Sequence, residues 1–167
     1  MKEIIIRKES LYQISYTGNL ETIEEQIRYI KKFDKGRIKS NRGGYQSNDI
    51  TFGFDELILF ITQSIKELQI NANLGNFWLN INSGTDYNNH HIHGINDTIS
   101  VVYYHKVCCN KAPISFGHLV PVLHRKEFQY FPANQDIIIF DDRIPHSVLP
   151  CNQDNHERIS LGFNFYK

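Results

Sequence analysis

Apolar residues recur at steps of three and four in two separate segments, which is the spacing of one buried face of an α-helix. The pattern predicts helices over residues 20–34 and 54–70. Asn19 stands where an N-cap is expected, and Gly36 follows the first helix as a stop signal. The apolar stripes of these amphipathic helices are Leu20, Ile23, Ile27 and Ile30 in the first and Leu57, Ile61, Ile65 and Leu68 in the second.

From residue 77 onward the hydrophobic period changes from helical to two. Short stretches rich in Phe, Tyr, Val and Ile are separated by turn residues, as in half-buried strands. They read FWLNI, TISVVYYH, ISFGHLV, FQYF, DIIIF, HSVLP and RISLGFNFY. Because no helical segment connects them, we expect antiparallel strands. Their number and spacing favour a mainly β fold, a two-sheet jelly roll or small barrel with the helices packed outside.

The length of 167 residues fits one domain. We expect residues 1–72 to supply strand and helical support and residues 73–167 to supply the β core. The segment KSNRGGYQSND, between the two helices, is rich in Gly, Ser and Asn and predicts a loop that is free to lie over a site. Loops over a rigid β scaffold usually select the substrate, so Arg42, Tyr45 and Gln46 are candidate substrate contacts.

Charge and cysteine content narrow the function classes. The 18 basic and 18 acidic residues cancel, and no basic run predicts nucleic-acid binding. No apolar run is long enough for a signal peptide or a membrane span. Three cysteines, two of them adjacent, are a poor disulfide framework and predict reduced thiols. We therefore expect a soluble cytoplasmic protein.

Three histidines mark the candidate chemistry. In NNHHIHG, residues 88–94, His91 and His93 fall on one strand face, where two imidazoles can share a metal. A solvated strand edge would also carry such a pair. His146 favours the metal site, because it follows the apolar strand DIIIF and a proline-containing turn, as a ligand on a neighbouring strand would.

Five segments in order resemble a known family. They are KSNRGGYQSND, WLNINSGTDYNNHHIHG, TISVVYYH, FPANQDIIIFDDRIPHSV and ERISLGFNF. The chain after about residue 38 resembles the small iron(II) and 2-oxoglutarate-dependent oxygenases of the double-stranded β-helix fold, a cupin-like jelly roll. Within that family it is most similar to a hydroxylase group common in bacteria and phages.

The resemblance implies a facial triad of iron ligands with open positions for co-substrate and oxygen. His91 and His146 match the two histidine ligands. His93 occupies the position of the carboxylate in the wider superfamily, and Asp97, four residues on, is the alternative third ligand. Three neutral imidazoles would leave a more positive metal than two imidazoles with a carboxylate.

The resemblance also implies a site for the co-substrate. Arg158 and Ser160, on the polar face of RISLGFNF, match the pair that binds the far carboxylate of 2-oxoglutarate, and Tyr104 matches a tyrosine that helps to hold it. A guanidinium suits this role because its fork donates to both carboxylate oxygens. Asn80 and Asn82 share a strand face with Trp78 and are further candidates for contact with the substrate.

The function implied is hydroxylation of an unactivated C–H bond in an amino acid, a peptidyl residue or another small molecule. Iron(II), 2-oxoglutarate and O2 would take part, with release of succinate and CO2. The same histidines also fit a three-His zinc enzyme or a cupin-like dioxygenase without 2-oxoglutarate. A third hypothesis is a jelly-roll domain that binds a ligand or partner without catalysis.

Overall fold

A computed structural model of the protein describes residues 10–93, 98–107, 112–117, 127–153 and 157–167. Two helices and eleven strands occupy these ranges. In chain order they are β1 Leu11–Ser15, α1 Leu20–Phe33, β2 Asn41–Arg42, β3 Tyr45–Gln46, α2 Asp55–Glu67, β4 Asn73–Ser83, β5 Tyr87–His91, β6 Thr98–Lys106, β7 Ile114–Phe116, β8 Phe128–Tyr130, β9 Asp136–Asp141, β10 His146–Val148 and β11 Glu157–Tyr166.

The strands form two antiparallel sheets. The first sheet has six strands in the order β1-β9-β6-β11-β4-β3, and the second has five in the order β2-β5-β10-β7-β8. Every strand pairing recorded among the described residues is antiparallel. The predicted mainly β jelly roll is therefore confirmed, and its connections cross repeatedly between the sheets.

Both predicted helices form, and each is slightly shorter than its hydrophobic pattern. The Asn19 side chain caps α1 by accepting from the backbone N–H groups of Glu21 and Thr22, at 3.0 and 3.3 Å. The first helix ends at Phe33, because the Asp34 backbone is already extended. Helix α2 ends at Glu67.

The central strands of the first sheet divide their side chains between two environments. On β11, Leu161, Phe163 and Phe165 are fully buried against a core that includes the inward stripes of both helices. The intervening residues of β11, among them Arg158 and Ser160, therefore face away from the helices. We call the helix side of this sheet the outer face and the opposite side the inner face.

The inner face is apolar around β9 and polar on β4 and β11. Near β9 a second apolar cluster joins both sheets and consists of Tyr104, Ile114, Phe116, Ile138, Phe140 and Ile144. On β4 and β11 the inner face instead carries Asn76, Trp78, Asn80 and Asn82 opposite Arg158, Ser160, Gly162 and Asn164. The fold thus concentrates polar side chains on two adjacent central strands.

The segment predicted as a loop between the helices contains two short strands. Strand β2 pairs with β5 in the second sheet, whereas β3 pairs with β4 in the first. Gly43 and Gly44 make the turn between them with φ of 72° and 61°, in the left-handed region where a side chain is strained. The segment therefore links the two sheets, which its polar composition did not predict.

The cysteine prediction is wrong at one position. Cys151 is buried and disulfide-bonded, whereas the sequence predicted reduced thiols. An odd count of cysteines argues against a complete framework of bridges but leaves a single bridge possible. Cys108 and Cys109 lie outside the described residues. Neither helix in the described part of the chain combines the length and apolar character that crossing a bilayer requires.

Two leucines of α2 provide a matched test of the packing. Leu57 is fully buried in the core between the helices and the outer face, whereas Leu59 is 57% exposed. We expect Leu57→Ala to lower the free energy of unfolding by about 2–5 kcal/mol, because it removes apolar contacts and leaves a cavity. Leu59→Ala should change it by less than about 0.5 kcal/mol. Urea denaturation measures both, and equal losses would contradict the packing described.

Candidate metal centre

Strand pairing in the second sheet brings the three predicted histidines together. His91 ends β5 and lies directly opposite His146, the first residue of β10. His93 follows two residues after β5 ends, and its Nε2 lies 3.1 Å from Nε2 of His91. One ring nitrogen from each of the three residues lies within 4.8 Å of the others. The predicted ligand set therefore converges on one point.

Neighbouring carbonyls fix two of the imidazoles in the form that a metal requires. Nδ1 of His91 lies 2.7 Å from the Asn89 carbonyl oxygen, and Nδ1 of His146 lies 3.0 Å from that of Ile144. A carbonyl only accepts, so each Nδ1 must carry the proton and donate. Each Nε2 is left with a lone pair, as a ligand nitrogen needs.

His93 is held by side chains instead. Its Nδ1 lies 2.8 Å from the Asn164 amide oxygen and 2.9 Å from the Ser100 hydroxyl. The Trp78 indole packs edge-on against the imidazole, with ring centroids 5.5 Å apart. Trp78 fits here because it lies over Gly162, where an added Cβ would come within 2.7 Å of the indole. The absent side chain of Gly162 thus leaves room for the indole that orients His93.

Burial keeps the three imidazoles neutral. Desolvation, followed by the charge of His91, lowers the pKa of His93 to about 4. Desolvation also lowers the pKa of His91, and it holds that of His146 well below its usual value. A metal binds neutral imidazole and competes with protons for it. The cluster is therefore ready to bind a metal near neutral pH, and its donor set fits iron(II) as well as other divalent first-row ions.

Two nearby residues do not take part in this cluster. His90 points to the other side of β5, where its Nε2 lies 3.1 Å from the Gly117 carbonyl oxygen. Asp97, the alternative third ligand, lies outside the described residues. Among the residues that the structure describes, His91, His93 and His146 form the one metal-competent group.

The predicted carboxylate anchor lies on the inner face of β11. Arg158 is 3% exposed, and its Nη1 donates to the Ala112 carbonyl oxygen at 2.9 Å. Ser160 pairs in register with Tyr104 on β6. The Tyr104 hydroxyl is buried without a hydrogen-bond partner among the described residues. Desolvation raises its pKa, and the positive charge of Arg158 opposes that shift. The geometry places a buried cation near an unpaired phenol.

The two candidate asparagines of β4 lie beside this anchor. Asn80 is opposite Ser160 and Asn82 is opposite Arg158. The Asn80 amide oxygen is buried and has no partner among the described residues. The Asn82 amide donates to the Asn88 amide oxygen at 3.4 Å. Neither asparagine lines the cavity beside the histidines, and their contact with a substrate stays a prediction.

A cavity of about 420 Å³ opens beside the histidines. Gln46 is the one member of the predicted substrate set that lines it, and its amide oxygen is buried without a partner among the described residues. The full lining is Arg37, Lys39, Ser40, Gln46, Asn76, Trp78, Asn89, His91, Ile92, His93 and Asn164. The sequence did not single out Arg37 or Lys39 in advance, because neither belongs to a recognisable site motif, whereas Asn164 lies on the polar face of RISLGFNF that was predicted to line a cavity.

The remaining candidate substrate residues are engaged elsewhere. Nη1 of Arg42 donates to the backbone carbonyl oxygens of Lys39 and Asn41, at 3.1 and 2.9 Å. The Tyr45 hydroxyl donates to the Asp34 carboxylate at 2.9 Å. Neither residue lines the cavity. In this geometry both stabilise the segment between the helices.

Structural comparison identifies the fold. No protein-family model matches the sequence, and no curated protein matches it significantly. Similar solved structures include a viral collagen prolyl hydroxylase from Paramecium bursaria Chlorella virus-1 (17% identity, TM-score 0.66, 94% of this chain and 96% of that one). A Pseudomonas putida prolyl-4-hydroxylase is also similar (17% identity, TM-score 0.67, 95% and 94% covered). The chain has the jelly-roll fold of the 2-oxoglutarate and iron(II) oxygenases.

The chain is also similar in fold to a protein from Streptomyces hygroscopicus. HygX, solved with nickel and 2-oxoglutarate bound, is 9% identical with a TM-score of 0.69, over 95% of this chain and 83% of that one. At such identities the likeness concerns the fold. What this chain binds depends on its own side chains.

Matched histidine variants test the metal centre. We expect His146→Ala to weaken cobalt(II) or nickel(II) binding by at least about 100-fold, since losing a ligand should cost no less than losing a partner of that ligand. His90→Ala removes a neighbouring imidazole outside the cluster and should leave the affinity unchanged. Isothermal titration of the metal-free proteins measures both. Equal effects of the two substitutions would rule out the proposed cluster.

Proposed function

We propose that the protein is an iron(II)- and 2-oxoglutarate-dependent oxygenase that hydroxylates a C–H bond of a small molecule or peptidyl residue. One observation carries the proposal. Three neutral imidazoles converge beside the inner face, and the same face holds the buried Arg158 near the unpaired Tyr104 hydroxyl. Arg158 and Ser160 lie on the strand whose Asn164 contacts His93, although Arg158, Ser160 and Tyr104 are not among the residues that line the cavity beside the histidines.

Each group has a defined task in this proposal. His91, His93 and His146 hold iron(II) through Nε2. Arg158 and Ser160, with the Tyr104 hydroxyl, bind the far carboxylate of 2-oxoglutarate and so orient its other end toward the metal. Bound iron and co-substrate supply oxygen activation with loss of CO2 and formation of succinate, which is chemistry that the protein positions but does not itself perform.

The anchor distinguishes this proposal from its rivals. A three-His zinc enzyme or a cupin-like dioxygenase needs the histidines alone, and neither requires a buried guanidinium on the inner face. At the depth of Arg158, the far carboxylate of 2-oxoglutarate would form a charge-assisted contact with the guanidinium. A jelly-roll domain without catalysis would use the three Nε2 lone pairs for a structural metal alone, with no open coordination position.

Anaerobic reconstitution tests the function directly. Metal-free protein is loaded with iron(II), and 2-oxoglutarate is then titrated in while the visible metal-to-ligand charge-transfer band is recorded. We expect the band to saturate with one equivalent per site, and oxygen to convert the co-substrate to succinate. A protein that binds iron but develops neither band nor succinate would favour the zinc or cupin alternatives.

Variants of Arg158 test the anchor with the same titration. Arg158→Ala should lower 2-oxoglutarate affinity roughly thirty-fold to several thousand-fold, which corresponds to about 2–5 kcal/mol for a lost partner of a buried carboxylate. Arg158→Lys should restore only part of it, because an ammonium lacks the bidentate fork. Arg28→Ala, at an exposed arginine of α1, is the control. Unchanged affinity in Arg158→Ala would remove the anchor from the proposal.

The charge of the cavity favours an anionic substrate. Its cations are Arg37 and Lys39, and no lining residue is a carboxylate. Arg37 forms an ion pair with Asp49, which does not itself line the cavity. Lys39 is exposed and forms no ion pair within the described residues. A substrate carboxylate beside Lys39 would therefore gain a charge-assisted contact that a neutral analogue lacks.

Trp78 is the single tryptophan of the chain and lines this cavity, so its fluorescence can report occupancy. With nickel and 2-oxoglutarate bound, we expect glutamate to bind several-fold more tightly than glutamine, its uncharged analogue. Lys39→Met should remove this preference, whereas Lys35→Met, at a neighbouring exposed lysine outside the cavity, should retain it. Equal binding of the two amino acids to the parent would contradict an anionic substrate.

A further inference from the structure

His93 differs from the other two histidines in what its Nδ1 faces. His91 and His146 face backbone carbonyls, which only accept. His93 faces the Asn164 amide and the Ser100 hydroxyl. An amide can present oxygen or nitrogen, and a hydroxyl can donate or accept, so neither group alone determines which ring nitrogen of His93 carries the proton.

A chain of hydrogen bonds runs from His93 to a carboxylate at the edge of the cavity. The Asn164 amide nitrogen donates to the Asn76 amide oxygen at 3.0 Å. The Asn76 amide nitrogen in turn donates to Asp49 Oδ1 at 3.1 Å. Asn164 and Asn76 are direct partners on β11 and β4. We call His93, Asn164, Asn76 and Asp49 the amide relay.

The direction of every bond in the relay follows from its carboxylate end. An ionised carboxylate only accepts, so Asn76 must turn its nitrogen toward Asp49 and its oxygen toward Asn164. Asn164 must then present its nitrogen to Asn76 and its oxygen to His93. The relay therefore favours a proton on Nδ1 of His93 and a lone pair on Nε2, over the competing form in which Nε2 of His93 is protonated and donates to Nε2 of His91 at 3.1 Å.

Asp49 is suited to this end position. Its carboxylate also accepts from Nη2 of Arg37. The Arg37 hydrogen bond, aided by that of Asn76, lowers the pKa of Asp49 despite partial desolvation. The Asp49 carboxylate is therefore ionised at neutral pH. It has no proton to donate to Asn76, so it cannot reverse the direction of the hydrogen bonds in the relay. Ser100 is compatible with either direction because its hydroxyl rotates.

We propose that Asp49 is a positioning residue for the metal ligand His93, acting through Asn76 and Asn164 to fix its tautomer. Metal-bound histidines usually gain basicity and orientation from a partner on their other nitrogen. In this protein the negative charge of Asp49 is separated from His93 by the side-chain amides of Asn76 and Asn164. It therefore lies neither on a metal ligand nor on the imidazole itself. The inference rests on the proposed metal site, yet its first readout needs neither metal nor 2-oxoglutarate.

The test uses imidazole nitrogen NMR of the metal-free, ¹⁵N-labelled protein. We expect His93 in the parent to show one protonated nitrogen, Nδ1, and one unprotonated nitrogen, Nε2. Asp49→Ala replaces the carboxylate with water, which can donate or accept, so His93 should then populate both tautomers. Asp49→Glu should restore most of the parent form. His91 and His146 are internal controls and should remain unchanged throughout.

Three further variants separate the relay from other consequences of removing Asp49. Arg37→Met breaks the same ion pair but leaves the relay, and it should keep His93 protonated on Nδ1. Ser100→Ala removes the competing hydroxyl and should also keep that form. Asp34→Asn alters the other carboxylate that organises this segment through Asn48 and Tyr45, and it should have no effect on His93.

Metal affinity supplies the second readout. Asp49→Ala should weaken cobalt(II) binding by about 10-fold to 100-fold, the usual effect of losing a partner of a metal-bound histidine, and Arg37→Met should not. The proposal is overturned if His93 in Asp49→Ala keeps its proton on Nδ1 alone, or if cobalt affinity is unchanged. Failure of 2-oxoglutarate to bind would affect the proposed function and leave both readouts intact.

Discussion

The division of the first sheet into an apolar outer face and a partly polar inner face is the constraint on which the site depends. Strand periodicity forces alternate residues of β11 to opposite sides. Leu161, Phe163 and Phe165 join the helical core, so Arg158, Ser160 and Asn164 must lie on the inner face. A shift of register by one residue would exchange the two sets and bury the guanidinium among the helices. The free-energy cost of that burial disfavours any other register.

This arrangement has a cost in stability. Buried polar atoms of Tyr104, Asn80 and Gln46 have no hydrogen-bond partner among the described residues. Each such atom costs about 1–3 kcal/mol in desolvation. All three lie on strands of the first sheet, Gln46 on β3, Asn80 on β4 and Tyr104 on β6, and Gln46 lines the cavity. The packed core between the outer face and the helices offsets this cost.

The sequence predicted the parts of the structure that depend on periodicity. Both helices and the strands around Trp78, Tyr103 and Phe163 follow from apolar spacing. The convergence of His91, His93 and His146 also followed from strand alternation and a resemblance. The short strands β2 and β3 were missed because pairing across two sheets leaves no periodic signal in so few residues.

Residues such as Asp49 and Asn76 could not be predicted for a related physical reason. Their importance comes from a register match between β4 and β11 and from the fold of a distant segment. The disulfide at Cys151 was likewise hidden, because a single bridge depends on tertiary proximity rather than on cysteine number. Sequence periodicity determines which face a residue occupies, but not which residue from another strand it meets there.

The charge distribution explains how a triad without a carboxylate can work. Three neutral imidazoles leave a divalent metal with its full charge, and the cavity lining beside it contains cations but no carboxylate. In the proposed function, the metal would therefore attract a dianionic co-substrate more strongly than it would with a carboxylate ligand, because no ligand charge would offset that of the metal. The corresponding disadvantage is that a neutral imidazole donates less electron density to a metal than a carboxylate does. A hydrogen-bonded carboxylate outside the coordination sphere offsets this weakness without neutralising the metal, and Asp49 at the end of two amides occupies that position.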